Sequence, residues 1–166
     1  ADLLFGKESP SGRLPITFYQ SIEDLPAYKD YAMENRTYRF RKQKEKYPFG
    51  FGLSYGNCEW LMNTLQTKVK SDTLYLQFKL RNPTGHRLKE TLQVYWEKNS
   101  MERGLIAFEK LALDAGEEKE ACMSIPLSRL NRWSLVNHKW ERAKGRQQLR
   151  IGRHSQDSQL EIRLKL

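Results

Sequence analysis

Residues 73–81 read TLYLQFKLR, with an apolar side chain at every second position. Leu74, Leu76, Phe78 and Leu80 alternate with Tyr75, Gln77 and Lys79. Successive side chains of a strand point to opposite faces, so this stretch predicts a β-strand with one buried and one wet face. The same alternation recurs along the chain. Trp60 and Met62 open a strand that runs toward Leu65, and Leu92, Val94 and Trp96 form another apolar face. Ile106 and Phe108 alternate, then Leu111 and Leu113, and the slip at Glu109–Lys110 predicts a bulge there. Ala121, Met123, Ile125 and Leu127 mark a strand in which Pro126 predicts a sheet edge. Leu149 with Ile151, and Leu160, Ile162, Leu164 with Leu166, complete the set. NPTG at 82–85 and DAGE at 114–117 carry turn chemistry. Seven short one-faced strands predict two antiparallel sheets packed as a sandwich. Residues 128–145 do not alternate; they predict a loop or short helical turn whose Leu130, Trp133 and Trp140 cover an open end of the core.

The first third of the chain lacks this pattern. Ala1 to Phe5 read as the last turn of a helix closed by Gly6, so the chain is expected to begin inside an element of something longer. Pro10, Gly12 and Pro15 forbid a regular helix, and the alternation of Leu14, Ile16 and Phe18 predicts a short strand. Ser21 with Asp24 resembles a capping box, which Pro26 limits to one turn. Residues 29–56 are aromatic and basic with little periodicity and predict an ordered, extended connector. Their aromatic side chains need something to pack on.

Composition narrows the function classes. Hydrophobic residues make up 39% of the 166, enough for a packed core. No apolar run approaches the ~18 residues of a membrane-spanning helix, and no secretory signal is visible. Cys58 and Cys122 stand far apart without metal-binding spacing and predict two free, buried thiols, with a disulfide left open in an oxidising compartment. His86, His138 and His154 lack ligand spacing, so no metal and no cofactor is expected. The net charge is +9, with basic side chains clustered at Arg36–Lys46 and Arg129–Arg153. Glu45, Glu141 and Asp157 interrupt those clusters and no nucleic-acid motif accompanies them. The reading is a basic surface, solvated or facing an acidic neighbour, rather than a nucleic-acid site. Asn35-Arg36-Thr37 is a glycosylation sequon, read as a chance occurrence.

Three motifs occur in order: PSGRLPITFY at 10–19, NRTYRF at 35–40 and YPFGFGLSY at 47–55. Together they resemble the C-terminal part of glycoside hydrolase family 3, the β-glucosidases and β-xylosidases. NPTG, ETLQVYW at 90–96, the Leu105–Phe108–Leu111–Leu113 pattern with AGE at 115–117, and GRQQLRIG at 145–152 are similar to downstream signals of that family. Asn35, Ala107, Ala115 and Gln147 depart from its usual residues. The resemblance implies that 1–28 end an α/β sandwich domain, that 29–56 connect, and that 57–166 form a fibronectin type III-like sandwich. On that reading Pro10, Gly12, Arg13, Leu14, Pro15, Pro48, Phe49, Gly50, Gly52, Leu53, Ser54 and Tyr55 are structural motif residues at the hand-over between domains. Gly50 and Gly52 permit close backbone approach or positive φ. Tyr47, Phe49, Phe51 and Tyr55 supply apolar area to pin the connector, which Pro48 holds extended.

A retaining glycosidase needs two carboxyl groups ~5–5.5 Å apart. The resemblance implies that the nucleophilic Asp and the acid/base Glu both come from upstream domains, so no catalytic residue is expected here. Glu23–Asp24, Asp30–Glu34 and Glu117–Glu118 are local pairs, read as solvated surface carboxylates. The expected role is a non-catalytic scaffold for upstream catalytic domains. Tyr38, Arg39 and Tyr47 are candidates for the rim of the sugar site, by stacking and hydrogen bonding. An independent carbohydrate- or polyanion-binding module is the alternative. Taken alone, the chain is expected to expose Leu3, Leu4, Phe5, Ile16 and Phe18 and so to favour self-association.

Overall fold

The structure, a computed structural model, describes residues 1–98 and 102–166. It is mainly β. The strands are β1 (Glu59–Lys70), β2 (Thr73–Arg81), β3 (Leu88–Lys98), β4 (Glu102–Leu113), β5 (Glu118–Pro126), β6 (Arg132–Ser134), β7 (Lys139–Glu141), β8 (Arg146–Gly152) and β9 (Leu160–Lys165). One sheet runs in the order β1-β2-β5 and the other β4-β3-β8-β9, with all pairings antiparallel. β5, which carries Pro126, is an edge strand, where a missing N–H costs no ladder bond.

The two sheets bury the faces that alternation assigned to the core. Leu74, Leu76, Phe78 and Leu80 meet Leu92, Val94, Trp96, Ile125, Leu149, Ile151 and Ile162 in one cluster. The Trp60 ring stacks on Phe78, with centroids 5.6 Å apart. Two loops at one end are locked together by Asn82, which is fully buried. Its side-chain amide donates to the carbonyls of His86 (2.8 Å) and Asp114 (2.9 Å), and its Oδ1 accepts from the Thr84 N–H (3.0 Å). The NPTG turn is thus tied to the turn after β4.

Several expectations are corrected. The bulge in β4 lies at Ile106, where the β3 register shifts between Val94 and Tyr95, not at Glu109–Lys110. Phe108 therefore pairs with Gln93 on the outer face and is exposed. β1 carries its own irregularity between Leu61 and Gln66, which leaves Met62 exposed; the Thr64 hydroxyl mends the gap by accepting the Lys79 N–H at 2.9 Å. Residues 128–145 are not a plain loop. A 3-10 turn at Leu127–Leu130 buries Leu130, but β6 and β7 then form a hairpin on which Trp133 and Trp140 are exposed instead of covering the core. Cys58 is buried as expected, whereas Cys122 is exposed. Burial pushes the Cys58 thiol up to about 11, which leaves it protonated and inert at neutral pH.

Upstream of β1 the backbone is mostly irregular. Leu14, Ile16 and Phe18 do not form a strand; a single bridge joins Phe18 to Tyr47. Pro10, Pro15 and Pro48 remove the N–H groups a longer ladder would need. The connector is not extended throughout, since Thr37–Phe40 makes one helical turn, α1. Tyr28 and Tyr31 project into solvent, against the expectation that its aromatics pack.

Candidate functional site

An exposed sheet face in a sandwich should alternate polar and wet. β3 does not: Thr91, Gln93 and Tyr95 are as buried as Leu92, Val94 and Trp96 on the other face. What covers them is residues 9–55. PSGRLP and YPFGFGLSY, separate in sequence, are each other's partners. The Leu14 N–H donates to the Phe51 carbonyl (2.8 Å) and the Gly50 N–H to the Leu14 carbonyl (2.8 Å). The Ser54 hydroxyl donates to the Pro10 carbonyl (2.9 Å) and the Tyr55 N–H to the Ser9 hydroxyl (3.1 Å), while the Tyr55 hydroxyl donates to the Leu3 carbonyl. A Cβ on Gly52 would lie 2.2 Å from the Gly12 carbonyl oxygen, and Gly50 sits at φ +82 with its pro-Cβ direction filled by Gln93. Both glycines are required by close approach, and one by positive φ as well.

This clasp is bolted to the sheet by polar groups. The Gln93 amide donates to the Gly50 carbonyl at 3.0 Å, and the Ser155 N–H donates to the Phe49 carbonyl at 2.9 Å. Glu90, buried, faces two guanidinium groups, Arg13 at 3.5 Å and Arg153 at 3.3 Å. Arg153 also donates to the Cys58 carbonyl at 2.7 Å where the connector joins β1. Burial lowers the Arg13 guanidinium from its ordinary value, and Glu90 opposes that shift. A second bolt holds the connector farther along. Arg41, almost wholly buried, pairs with Asp24 at 3.0 Å and lies 4.3 Å over the Tyr19 ring, so this part of the basic cluster is internal, not solvated. Arg103 donates to the carbonyls of Arg41 (3.3 Å) and Ser155 (3.1 Å). Glu45 is buried nearby with both carboxyl oxygens unpartnered, and desolvation raises it above the usual carboxylate range despite Arg103 and Arg41.

The three rim candidates do not converge. The Tyr38 ring stacks on Phe49 (4.2 Å) and meets the edge of Tyr95 (6.0 Å), and its hydroxyl accepts the Leu105 N–H at 3.1 Å. Arg39 is half-exposed and donates to the Arg103 carbonyl at 3.4 Å. Tyr47 lies elsewhere, edge-on to Phe18 (5.9 Å) and beside Phe51 (5.4 Å), in an open apolar groove of about 640 Å³ that also takes in Pro10, Leu14 and Leu53. Pro15 lines a smaller crevice of about 260 Å³ against Phe49, Thr91 and Phe108. Every local carboxylate pair is engaged by ordinary partners: Asp24 pairs with Arg41, Asp30 accepts from the Ala32 N–H, Glu34 pairs with Lys42, Glu117 accepts from the Asp114 N–H and lies 3.8 Å from the Lys119 Nζ, and Glu118 pairs with Lys79. Glu23 is fully exposed, and the Ser21 hydroxyl holds its carboxyl below the ordinary value, the wrong direction for a general acid.

Comparison with known proteins matches this architecture. Residues 1–55 match the "Glycosyl hydrolase family 3 C-terminal domain" and residues 90–155 the "Fibronectin type III-like domain". The chain is a C-terminal region of glycoside hydrolase family 3. A xylan 1,4-β-xylosidase of Xylanibacter ruminicola is 30% identical over 164 residues, covering 96% of this chain and 19% of the relative. A thermostable β-glucosidase B of Acetivibrio thermocellus is 29% identical, covering 95% of this chain and 23% of the relative. Among solved structures, the family 3 β-glucosidase of Bifidobacterium adolescentis superposes over the whole chain with a TM-score of 0.84 at 27% identity, using 27% of that protein. The chain therefore spans about a fifth of the length of the curated relatives it matches.

Sequence reasoning missed Glu90, Gln93, Arg153 and Glu45 as anchors of this family 3 region. Glu90 was within reach: it shares strand parity with Leu88 and Leu92, so an acid falls in a buried position and needs cationic partners. Nothing in the sequence around Glu45 marks it as buried.

Proposed function

We propose that this chain is the non-catalytic scaffold of a β-glycosidase that removes terminal β-linked glucose or xylose with retention. Upstream domains of the same protein supply both catalytic carboxyl groups. Residues 1–28 belong to the end of the α/β domain, 29–56 to the connector and 57–166 to the sandwich. The observation that carries this reading is the clasp: the motifs on either side of the hand-over bind each other and bury the outer face of β3. A linker between independent modules has no need of a buried Glu90–Arg13–Arg153 cluster. The exposed Leu4, Phe5, Ile16, Ile22, Tyr28 and Tyr31 supply apolar surface for an upstream partner. In this arrangement Tyr38 serves the stack that fixes α1. Arg39 is half-exposed and Tyr47 opens on the apolar groove, so each keeps exposed surface, on separate sides, with which to meet the leaving-group side of the sugar.

Hydrolysis of nitrophenyl β-glucoside and β-xyloside tests this. The chain alone is expected to be inert, and the full-length protein active. Turnover by the chain alone would show that it contains its own catalytic pair. In the full-length protein, Arg39→Ala and Tyr47→Ala are expected to raise KM with little change in melting temperature. Unchanged KM in both would remove them from the rim.

A further inference from the structure

The β6–β7 hairpin has no part in the clasp. Trp133 and Trp140 face each other across it, with centroids 5.8 Å apart and planes at 74°, and both rings are half-exposed or more. Leu135 and Val136 at its tip are also open to solvent. An aromatic pair held in solvent by a short hairpin costs hydration free energy that burial would recover, so it marks a contact surface. Its surroundings are basic: Arg129, Arg132, Lys139, Arg142, Lys144 and Arg146 lie between 127 and 146, where Glu141 is the only acid. A basin of about 580 Å³ is lined by Arg132, Lys139, Trp140, Arg142, Ala143 and Lys144 together with one carboxylate, Glu141, which accepts from the Asn137 side-chain amide. Arg132 is fixed 4.5 Å over the Trp96 ring, and its buried Nε has no partner among the described residues.

The hairpin also lies away from the upstream side. β1 runs from Glu59, where the connector joins, to Lys70, and the hairpin is anchored at the far end, with Arg142 paired to Asp72 in the turn after β1. Among the described residues, no hydrogen bond or ion pair joins 127–145 to 1–56.

We propose that the β6–β7 hairpin binds carboxylate-bearing polysaccharide, with Trp133 and Trp140 stacking on sugar rings and Arg132, Lys139 and Lys144 receiving the carboxylates. Aromatic faces suit the apolar C–H faces of pyranose rings, and guanidinium groups pair with carboxylates in a bidentate fork. The two ring planes, near a right angle, form a corner that fits a twisted soluble chain better than a flat crystalline surface. The choice of a glycan over other polyanions rests on the glycosidase reading above; the surface itself does not.

Affinity electrophoresis of the full-length protein tests the proposal, in gels containing polygalacturonate, neutral xylan or single-stranded oligothymidylate. Polygalacturonate is expected to retard the protein, and neutral xylan to retard it much less. Trp140→Ala and Trp133→Ala should each weaken retardation at least tenfold while nitrophenyl-glycoside hydrolysis and melting temperature stay unchanged. Lys139→Ala should flatten the salt dependence. Four results overturn the proposal: no retardation by polygalacturonate, Trp variants that bind like the parent, oligothymidylate binding at least as tight, or hairpin tryptophans shielded from acrylamide in the full-length protein. If polygalacturonate binds at the hairpin and the protein lacks glycosidase activity, the binding surface stands and the functional reading falls.

Discussion

Gly50 is the residue on which the clasp turns. Its φ of +82 suits glycine, and a Cβ would come within 2.0 Å of Gln93 Oε1 and 2.8 Å of the Tyr95 hydroxyl. Gly50→Ala is therefore expected to cost about 2–4 kcal/mol in urea denaturation, from left-handed backbone strain plus overpacking. Gly85→Ala, with nothing within 4 Å, should stay within about 1 kcal/mol. Glu45 gives a pH signature. Its folded value is raised above the ordinary 4.5 by desolvation, so the folded state holds the proton more tightly than the unfolded one. Its contribution is fully present below the unfolded value and is lost as pH rises through the folded value. Glu45→Gln removes that loss, so its stability relative to the parent chain should rise as pH increases from about 4.5 upward. A difference that is flat with pH would place Glu45 in water.

At the scale of elements, the sandwich strands were legible because alternation is local: β2 reads directly as TLYLQFKLR. Phe78→Ala, which empties the site under Trp60, is expected to cost about 3–5 kcal/mol. Bulges were not legible, because a register shift is set by the partner strand; Ile106 and the 61–66 irregularity appear only when β3 and β2 are in place. The hairpin was missed for a related reason. RWS and KWE are too short to show a period, and their tryptophans match a core pattern as well as an exposed pair. The motifs were recognisable, yet their mutual pairing was not, since it joins distant residues (Leu14 with Gly50 and Phe51, Pro10 with Ser54, Ser9 with Tyr55) by single backbone and side-chain bonds outside any regular strand. Tyr38→Ala, which removes the stack on Phe49, should leave the melting of the sandwich nearly intact while speeding protease cleavage within 41–46. Unchanged cleavage would mean that the Arg41 and Arg103 contacts hold the connector alone.

The whole molecule has three distinct surfaces. The outer face of β3 is closed by the clasp, the irregular residues before it expose apolar side chains, and the far end carries the basic tryptophan hairpin. Such a division suits a chain that props catalytic domains on one side and meets a polymer on the other. It also explains why the basic charge reads poorly as one feature: Arg13, Arg41 and Arg153 are internal bolts, whereas Lys139 and Lys144 are not. No helix of the described residues is long and apolar enough to cross a membrane. Hydrogen exchange, compared between the isolated chain and the full-length protein, tests the scaffold claim most directly. Docking predicts new protection at 1–33 and around Leu53–Tyr55 in the full-length protein, with the two sheets and the hairpin unchanged. Equal exchange of 1–33 in both would contradict it, because the upstream domains would then leave that surface bare.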